Sequence, residues 1–285
     1  MKRYEFTGEV KKAGIFGNIT VRRIRATVSF GIVKAGELGG WIEKEENLYV
    51  DEESNAWVYG DAEVYGNAKV YGDAKVCGNA EVYGNAKVYG DAKVYGDAKV
   101  YGNAKVCGDA WVYGDAKVYG NAEVCGNAKV CGNAEVCGNA EVYGDAKVCG
   151  DAKVYGNAWV YGDAKVCGNA EVCGNAEVLQ GSHLLVIGPI GSRNSFTTFF
   201  RDKDNEIVVR CGCFLGKIDK FLEKVKETHG DSRYAFVYRA AVEVAKAHIE
   251  SLTPAEVART YHFMTAESEK LLDYTMEQLV KGETD

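Results

Sequence analysis

Two cysteines and a histidine near the C-terminal end make the most direct claim to chemistry. Cys211 and Cys213 fall two apart in a strand-like stretch, and His229 follows the next helical stretch. A thiol beside an imidazole base is a nucleophile of the kind used in covalent catalysis, so this trio defines one expectation, a Cys-dependent enzyme. The alternative for the same residues is a buried pair of small cysteines on one strand face. A second group lies just upstream in Gly188-Pro-Ile-Gly191-Ser192-Arg193-Asn194, beside Thr197 and Thr198. Its guanidinium, hydroxyl and amide groups suit an anion, with Gly191, Ser192, Arg193, Asn194 and Thr197 as the ligand-binding candidates. The turn lacks the Gly-Lys-Ser/Thr of a P-loop, and a strand rather than a helix follows it. A plain β-turn is the competing reading.

The elements that must position these groups are dominated by a repeat. From Asn55 to Gln180 the chain writes one six-residue phrase, Asn/Asp-Ala-Lys/Glu-Val-Tyr/Cys-Gly, twenty-one times without insertion or deletion. Self-similarity at a short fixed period is the mark of a solenoid. Ala and Val stand two apart, as in Ala116 and Val118, so both face the same side of a short strand, the inside. Lys, Glu or Trp between them and Tyr or Cys after Val are expected to point outward, while Gly and the following Asn or Asp turn a corner. Every third hexad begins with Asn, at 67, 85, 103, 121, 139, 157 and 175, whereas the other two rows mix Asn and Asp. Residues stacked in successive coils share an environment, so three hexads per coil, about seven coils and an Asn ladder are predicted.

Stacking also lines up the outward residues. Tyr65, Tyr83, Tyr101 and Tyr119 form one strip and Tyr59, Tyr95 and Tyr113 another, amphipathic surfaces of the kind found at interfaces. Cys131, Cys149 and Cys167 continue the second strip, in a row unlike the converging ligands of a zinc site. No metal or cofactor is expected. Eight of the ten cysteines occupy the Tyr slot of the repeat and are read as reduced thiols.

Around the rod, residues 1–54 carry strand-like stretches at Tyr4–Val10 and Ile19–Ser29 and the segment Gly36-Glu-Leu-Gly-Gly-Trp41-Ile42, out of register with the hexads. They read as an N-terminal β cap over the exposed solenoid end. Residues 181–251 change to strands at His183–Ile190, Phe196–Arg201 and Ile207–Phe214, then a helix through Ile218, Phe221, Leu222 and Val225 that stops at Gly230, and a second helix from Asp231-Ser232. This is a small α+β domain. A helical hairpin tail is predicted over 252–285, opened by the capping box Thr253-Pro-Ala-Glu256. The predicted fold is thus mainly β, a parallel β-helix with an N-terminal cap, a C-terminal α+β domain and a helical tail.

Several function classes are disfavoured. The tail holds seven acidic residues against three Lys or Arg, the wrong sign for phosphate binding, so no DNA partner is expected. The hexads contain no His, which removes the base of an acyltransferase and the ligands of a carbonic anhydrase, and no Thr for an ice-binding face. Their eleven Lys against sixteen Asp or Glu, interleaved in sequence, fall short of a DNA mimic. Met1–Val10 has no apolar h-region and no apolar run approaches a membrane span, so no membrane is expected and the cytoplasm is the expected compartment.

The hexads resemble the left-handed parallel β-helix of hexapeptide-repeat proteins, and the resemblance alone implies the handedness. Tyr or Cys after Val departs from the small or acidic residue usual there. Leu38-Gly-Gly-Trp-Ile42, Val186-Ile-Gly-Pro-Ile-Gly-Ser-Arg-Asn194, Arg210-Cys-Gly-Cys-Phe214 and Lys226-Glu-Thr-His-Gly-Asp231 are similar to segments of hexapeptide-repeat proteins encoded by phages and prophages of Gram-positive bacteria. That likeness implies an accessory protein that binds and disables a host factor, an immune protein or its nucleotide signal. The sequence therefore predicts a non-enzymatic binding or scaffold protein, an anti-defence factor whose partner is a host protein. The alternatives are a sponge for an anionic small molecule or nucleotide, and the Cys-dependent enzyme. Homo-oligomerisation through the Tyr strip is a further expectation.

Overall fold

The structure is a computed structural model that describes residues 3–50 and 54–249. The tail assigned to 252–285 lies outside the described residues. Each hexad contributes a two-residue strand, such as Lys99–Val100, and each strand pairs in parallel with the strands eighteen residues before and after it. Three parallel sheets result, one per side of the coil. Every Ala and Val of the hexads, from Ala56 to Val178, is fully buried. A buried Val side chain contributes about 1.5–3 kcal/mol, so the narrow Ala/Val core stabilises every coil alike.

The corners explain the glycine that ends every hexad but the last. Tyr-Gly-Asn/Asp-Ala closes a turn, seen where the Ala62 amide donates to the Tyr59 carbonyl at 3.2 Å. Gly102 adopts φ +73°, and a Cβ added to it would lie 3.0 Å from the Gly120 amide nitrogen in the next coil. Left-handed backbone and close stacking both demand glycine there. The predicted Asn ladder runs the length of the rod, with side-chain amides joined from Asn67 to Asn85 at 3.2 Å and on through Asn103, Asn121, Asn139 and Asn157 to Asn175.

The N-terminal segment caps the rod and also belongs to it. Tyr4–Ala13 and Ile19–Ala26 form an antiparallel hairpin whose second strand pairs with Leu38–Ile42. That third strand pairs in parallel with the first coil, Trp41 opposite Glu63 and Ile42 opposite Val64, and Leu48 bridges Val70. The segment expected to be out of register therefore extends the solenoid by about one coil, because four extra residues are absorbed before the hexads begin. The cap also overturns the outward placement of Trp57. Tyr4, Phe30 and Tyr59 pack edge-on around its ring, and it is wholly buried.

At the other end, Leu184–Ile190, Ser195–Arg201, Ile207–Cys211 and Phe214–Lys217 make a four-stranded antiparallel sheet, followed by α1 (Ile218–His229) and α2 (Arg233–His248). Alternation sorts its side chains. Leu184 and Phe200 join the rod core, whereas Phe199 and Val209 join the helices through Phe221, Val225, Tyr238 and Val242. One face of the sheet closes the rod and the other carries the helices. The Glu171 amide donates to Thr198 Oγ1 at 3.0 Å and the Lys203 amide to the Asn175 carbonyl at 3.1 Å, so the last coil finds hydrogen-bond partners in the sheet.

Beneath this junction His183 is fully buried and its Nδ1 accepts the Leu179 amide at 3.3 Å. Burial, reinforced by the charge of Arg201, lowers its pKa to about 4, so the folded protein holds it neutral.

Two outcomes test this architecture. Val118→Asp places an unpaired charge in the core and is expected to cost several kcal/mol, whereas Lys87→Ser, on the exposed face, leaves the melting temperature within a degree or two; thermal unfolding of both variants checks the inward assignment. For His183 the folded pKa lies below the unfolded value, so the unfolded chain binds the proton that the folded one refuses. Stability attributable to His183 is then lost as pH falls from about 6.5 towards 4, at up to about 1.4 kcal/mol per pH unit. Denaturant titrations of the parent and His183→Asn across this window should show that component only in the parent.

Candidate functional site

The predicted catalytic trio is separated by a turn. Gly212 takes φ +58° and with Cys213 makes a two-residue hairpin, so Cys211 ends one strand opposite Phe214, which begins the next. The single strand expected through Ile207–Phe214 and the shared strand face of the two cysteines are corrected accordingly. Gly followed by any residue between two strand-like runs is itself a hairpin signature, and it was the available signal. Cys213 is exposed on the tip, against the expectation of a buried pair, while Cys211 faces the helices.

Around Cys211, Thr197 Oγ1 donates to its sulfur at 3.3 Å and the sulfur lies 3.9 Å from the Tyr238 hydroxyl. His229 stacks on the Tyr238 ring, with centroids 5.7 Å apart. Thiol and imidazole both meet Tyr238, and among the described residues no hydrogen bond joins them to each other. Burial, with the Cys211 sulfur beside it, pushes the Tyr238 phenol up to about 12. The cluster is therefore packed around a protonated tyrosine.

The anion-binding turn reaches the same end of the sheet. Gly191 lies against Tyr238 so closely that an added Cβ would fall 1.8 Å from the hydroxyl oxygen, and Arg193 extends towards Gly212. Ser192, Arg193 and Asn194 are exposed, but Thr197 is fully buried and bonded to Cys211. Strand alternation turns Thr197 towards the helices, so it cannot complete a ligand set with the other four.

The same alternation turns Thr198 towards the rod, where a cleft of about 310 Å³ opens between the last coils and the sheet. Asp151, Lys153, Asn169 and Glu171 line it from the rod and Ser195, Phe196, Thr198, Arg210 and Gly212 from the sheet. Arg210 Nε donates to Glu171 at 2.7 Å across the junction. Phe196 remains partly exposed, while Lys153 and Asp151 are open to solvent. The cleft combines two cations, two carboxylates, two hydroxyls and an aromatic ring, a polar surface of mixed charge. Sequence reasoning missed it because its residues come from segments about forty positions apart.

On the rod, Tyr65, Tyr83, Tyr101 and Tyr119 stack face to face at 4.9–5.0 Å. Tyr65 is nevertheless buried, packed with Ala13, Val21 and Trp41 of the cap, and its hydroxyl donates to Glu81 at 2.9 Å. Tyr83 is partly buried against the same cluster, so the strip clear of the cap begins at Tyr101. Burial pushes the Tyr83 phenol up to about 12. Lysines that alternate with acids along the chain are segregated in space. On the side formed by residues 75, 93, 111, 129, 147 and 165 every outward residue is Lys except Trp111, which Lys93 and Lys129 flank at 4.6 and 5.0 Å from its centroid. An Asp-rich corner row, including Asp73, Asp91 and Asp109, runs beside it and offsets that charge.

Cysteines also stack, and here the expectation of reduced thiols is corrected: Cys107–Cys125 and Cys149–Cys167 are disulfides. The coil spacing brings their Cα atoms to 4.6 Å, inside the range a disulfide spans. Among the described residues no group of three or more His, Cys, Asp or Glu is arranged to hold a metal, and no helix is long and apolar enough to cross a membrane. Neither family models nor curated proteins yield a match to this chain.

Exposure orders the thiols for labelling. With iodoacetamide under non-reducing conditions, Cys213 should be alkylated at least tenfold faster than buried Cys173; peptide mapping over time checks this, and equal rates would contradict the hairpin tip.

Proposed function

We propose that the protein is a non-enzymatic binding and scaffold protein, a rigid β-solenoid that presents a recognition cleft at its C-terminal end. The observation that carries this reading is the cleft itself, with Lys153 and Arg210 balanced by Asp151 and Glu171 around partly exposed Phe196. A site of both signs with an aromatic ring suits a short segment of a partner protein better than a small anion, for which two carboxylates are repulsive. The resemblance to phage and prophage hexapeptide-repeat proteins supports a bacterial host protein as that partner and an anti-defence role. Sequestration of an anionic small molecule is the second reading, favoured by Arg193 on the exposed turn beside Gly212. Cysteine-dependent catalysis is not proposed, since Cys211 is engaged by Thr197 and Tyr238 rather than by His229.

The test is capture from a bacterial lysate by the intact protein and by two charge variants. Lys153→Glu should lower retention of a stoichiometric protein at least tenfold while Arg193→Ala leaves it within a factor of two. A released nucleotide that Arg193→Ala abolishes would instead establish the second reading, and protein retention indifferent to Lys153→Glu would remove the cleft from the function.

A further inference from the structure

Only one Tyr/Cys row of the rod places three cysteines in consecutive coils, Cys131, Cys149 and Cys167. Cys149 and Cys167 are bridged, and Cys131 is free. The backbone gives both neighbours of Cys149 the same relation to it. Lys129 and Val130 pair with Lys147 and Val148 as these pair with Lys165 and Val166, and the amides of Cys131 and Cys149 each donate at 2.9 Å to the valine carbonyl of the next coil. A geometry that admits one bridge therefore admits the other. The Tyr113 hydroxyl lies beside Cys131 and places a polar group near the free sulfur.

We propose that Cys131, Cys149 and Cys167 form a thiol–disulfide exchange ladder, in which the bridge moves by one coil and releases Cys167 as a site for modification by disulfide-bearing compounds. The Cys131 thiolate attacks the sulfur of Cys149, the Cys131–Cys149 bond forms, the Cys149–Cys167 bond breaks, and Cys167 leaves as a thiolate. The proton lost by Cys131 is balanced by protonation of Cys167, and no oxidant or reductant is consumed. The released thiol is well placed to react. Cys167 is exposed, an added Cβ at Gly168 would meet nothing within 4 Å, and Asn169, two residues on, lines the cleft. A free Cys167 thiolate then attacks an external disulfide, keeps one half as a mixed disulfide and expels the other as a thiolate.

The second bridge supplies an internal control. Cys107 and Cys125 are buried, and the residues stacked beyond them are Tyr89 and Tyr143, so no third thiol can displace that bond. The ladder stands on the rod alone and does not depend on the partner assigned to the cleft.

The experiment treats the full chain, purified without reductant, with oxidised glutathione and maps adducts by mass spectrometry. In the parent protein, adducts should appear on both Cys131 and Cys167, while Cys107 and Cys125 carry none. Cys131→Ser removes the attacking thiol and should reduce the Cys167 adduct at least tenfold. Cys167→Ser should retain a bridge, now between Cys131 and Cys149. Modification of Cys167 at the parental level in Cys131→Ser, or a free Cys149 thiol in Cys167→Ser, would overturn the proposal. Because these residues lie outside the Ala/Val core, circular dichroism of both variants should match the parent.

Discussion

In-register stacking of coils every eighteen residues is the constraint on which the rest of this structure depends. Backbone hydrogen bonds of about 2.9 Å tie each strand to the next coil, as from Lys99 to Ala116, and leave no freedom to slip, since a one-residue shift would turn the Ala/Val face outward. Each side chain consequently sits beside the residue at the same hexad position of the neighbouring coils. For asparagine that is favourable, because an amide both donates and accepts; for tyrosine it gives parallel ring stacks at about 5 Å. For cysteine it brings thiols to bonding range. The same spacing that stabilises the rod thus brings Cys107 to Cys125 and Cys149 to Cys167 within disulfide range.

A repeat of this kind has two ends, and the ends carry the individuality of the molecule. A solenoid terminus leaves unpaired backbone and open core. At the N-terminal end the hairpin and Leu38–Ile42 supply a further strand and bury Trp57. The C-terminal sheet instead lays one face across the last coil and reaches beside it with Ser195, Phe196 and Arg210. The cleft is what remains where a flat sheet meets a prism. Its polar lining follows from the same origin, because the rod contributes its outward strand and corner residues there.

The charge pattern shows how far a linear reading can differ from a folded one. Lys and acidic hexads alternate irregularly along the chain, yet one side of the coil collects lysines and the corner beside it collects aspartates. Parallel stripes of opposite sign leave no broad field for a polyanion, and Trp111 between Lys93 and Lys129 interrupts the basic stripe with an aromatic contact.

The sequence by itself determined the coil. Period, inward Ala and Val, glycine corners and the pure Asn row are local or strictly repeated, and repetition converts a local rule into a tertiary one. It also located the terminal sheet and both helices, whose patterning is carried by neighbouring residues such as Ile218, Phe221 and Val225. What only the tertiary structure decided are the contacts between segments that share no period. Burial of Trp57 and Tyr65 under the cap, the turn of Thr197 away from solvent, and the meeting of Lys153 and Glu171 with Arg210 all depend on which face a non-repeating element offers to the rod. The disulfides lie between these cases. The eighteen-residue spacing of Cys149 and Cys167 was visible, but bond formation depends on the distance and direction of two side chains, and those exist only once the coils are stacked.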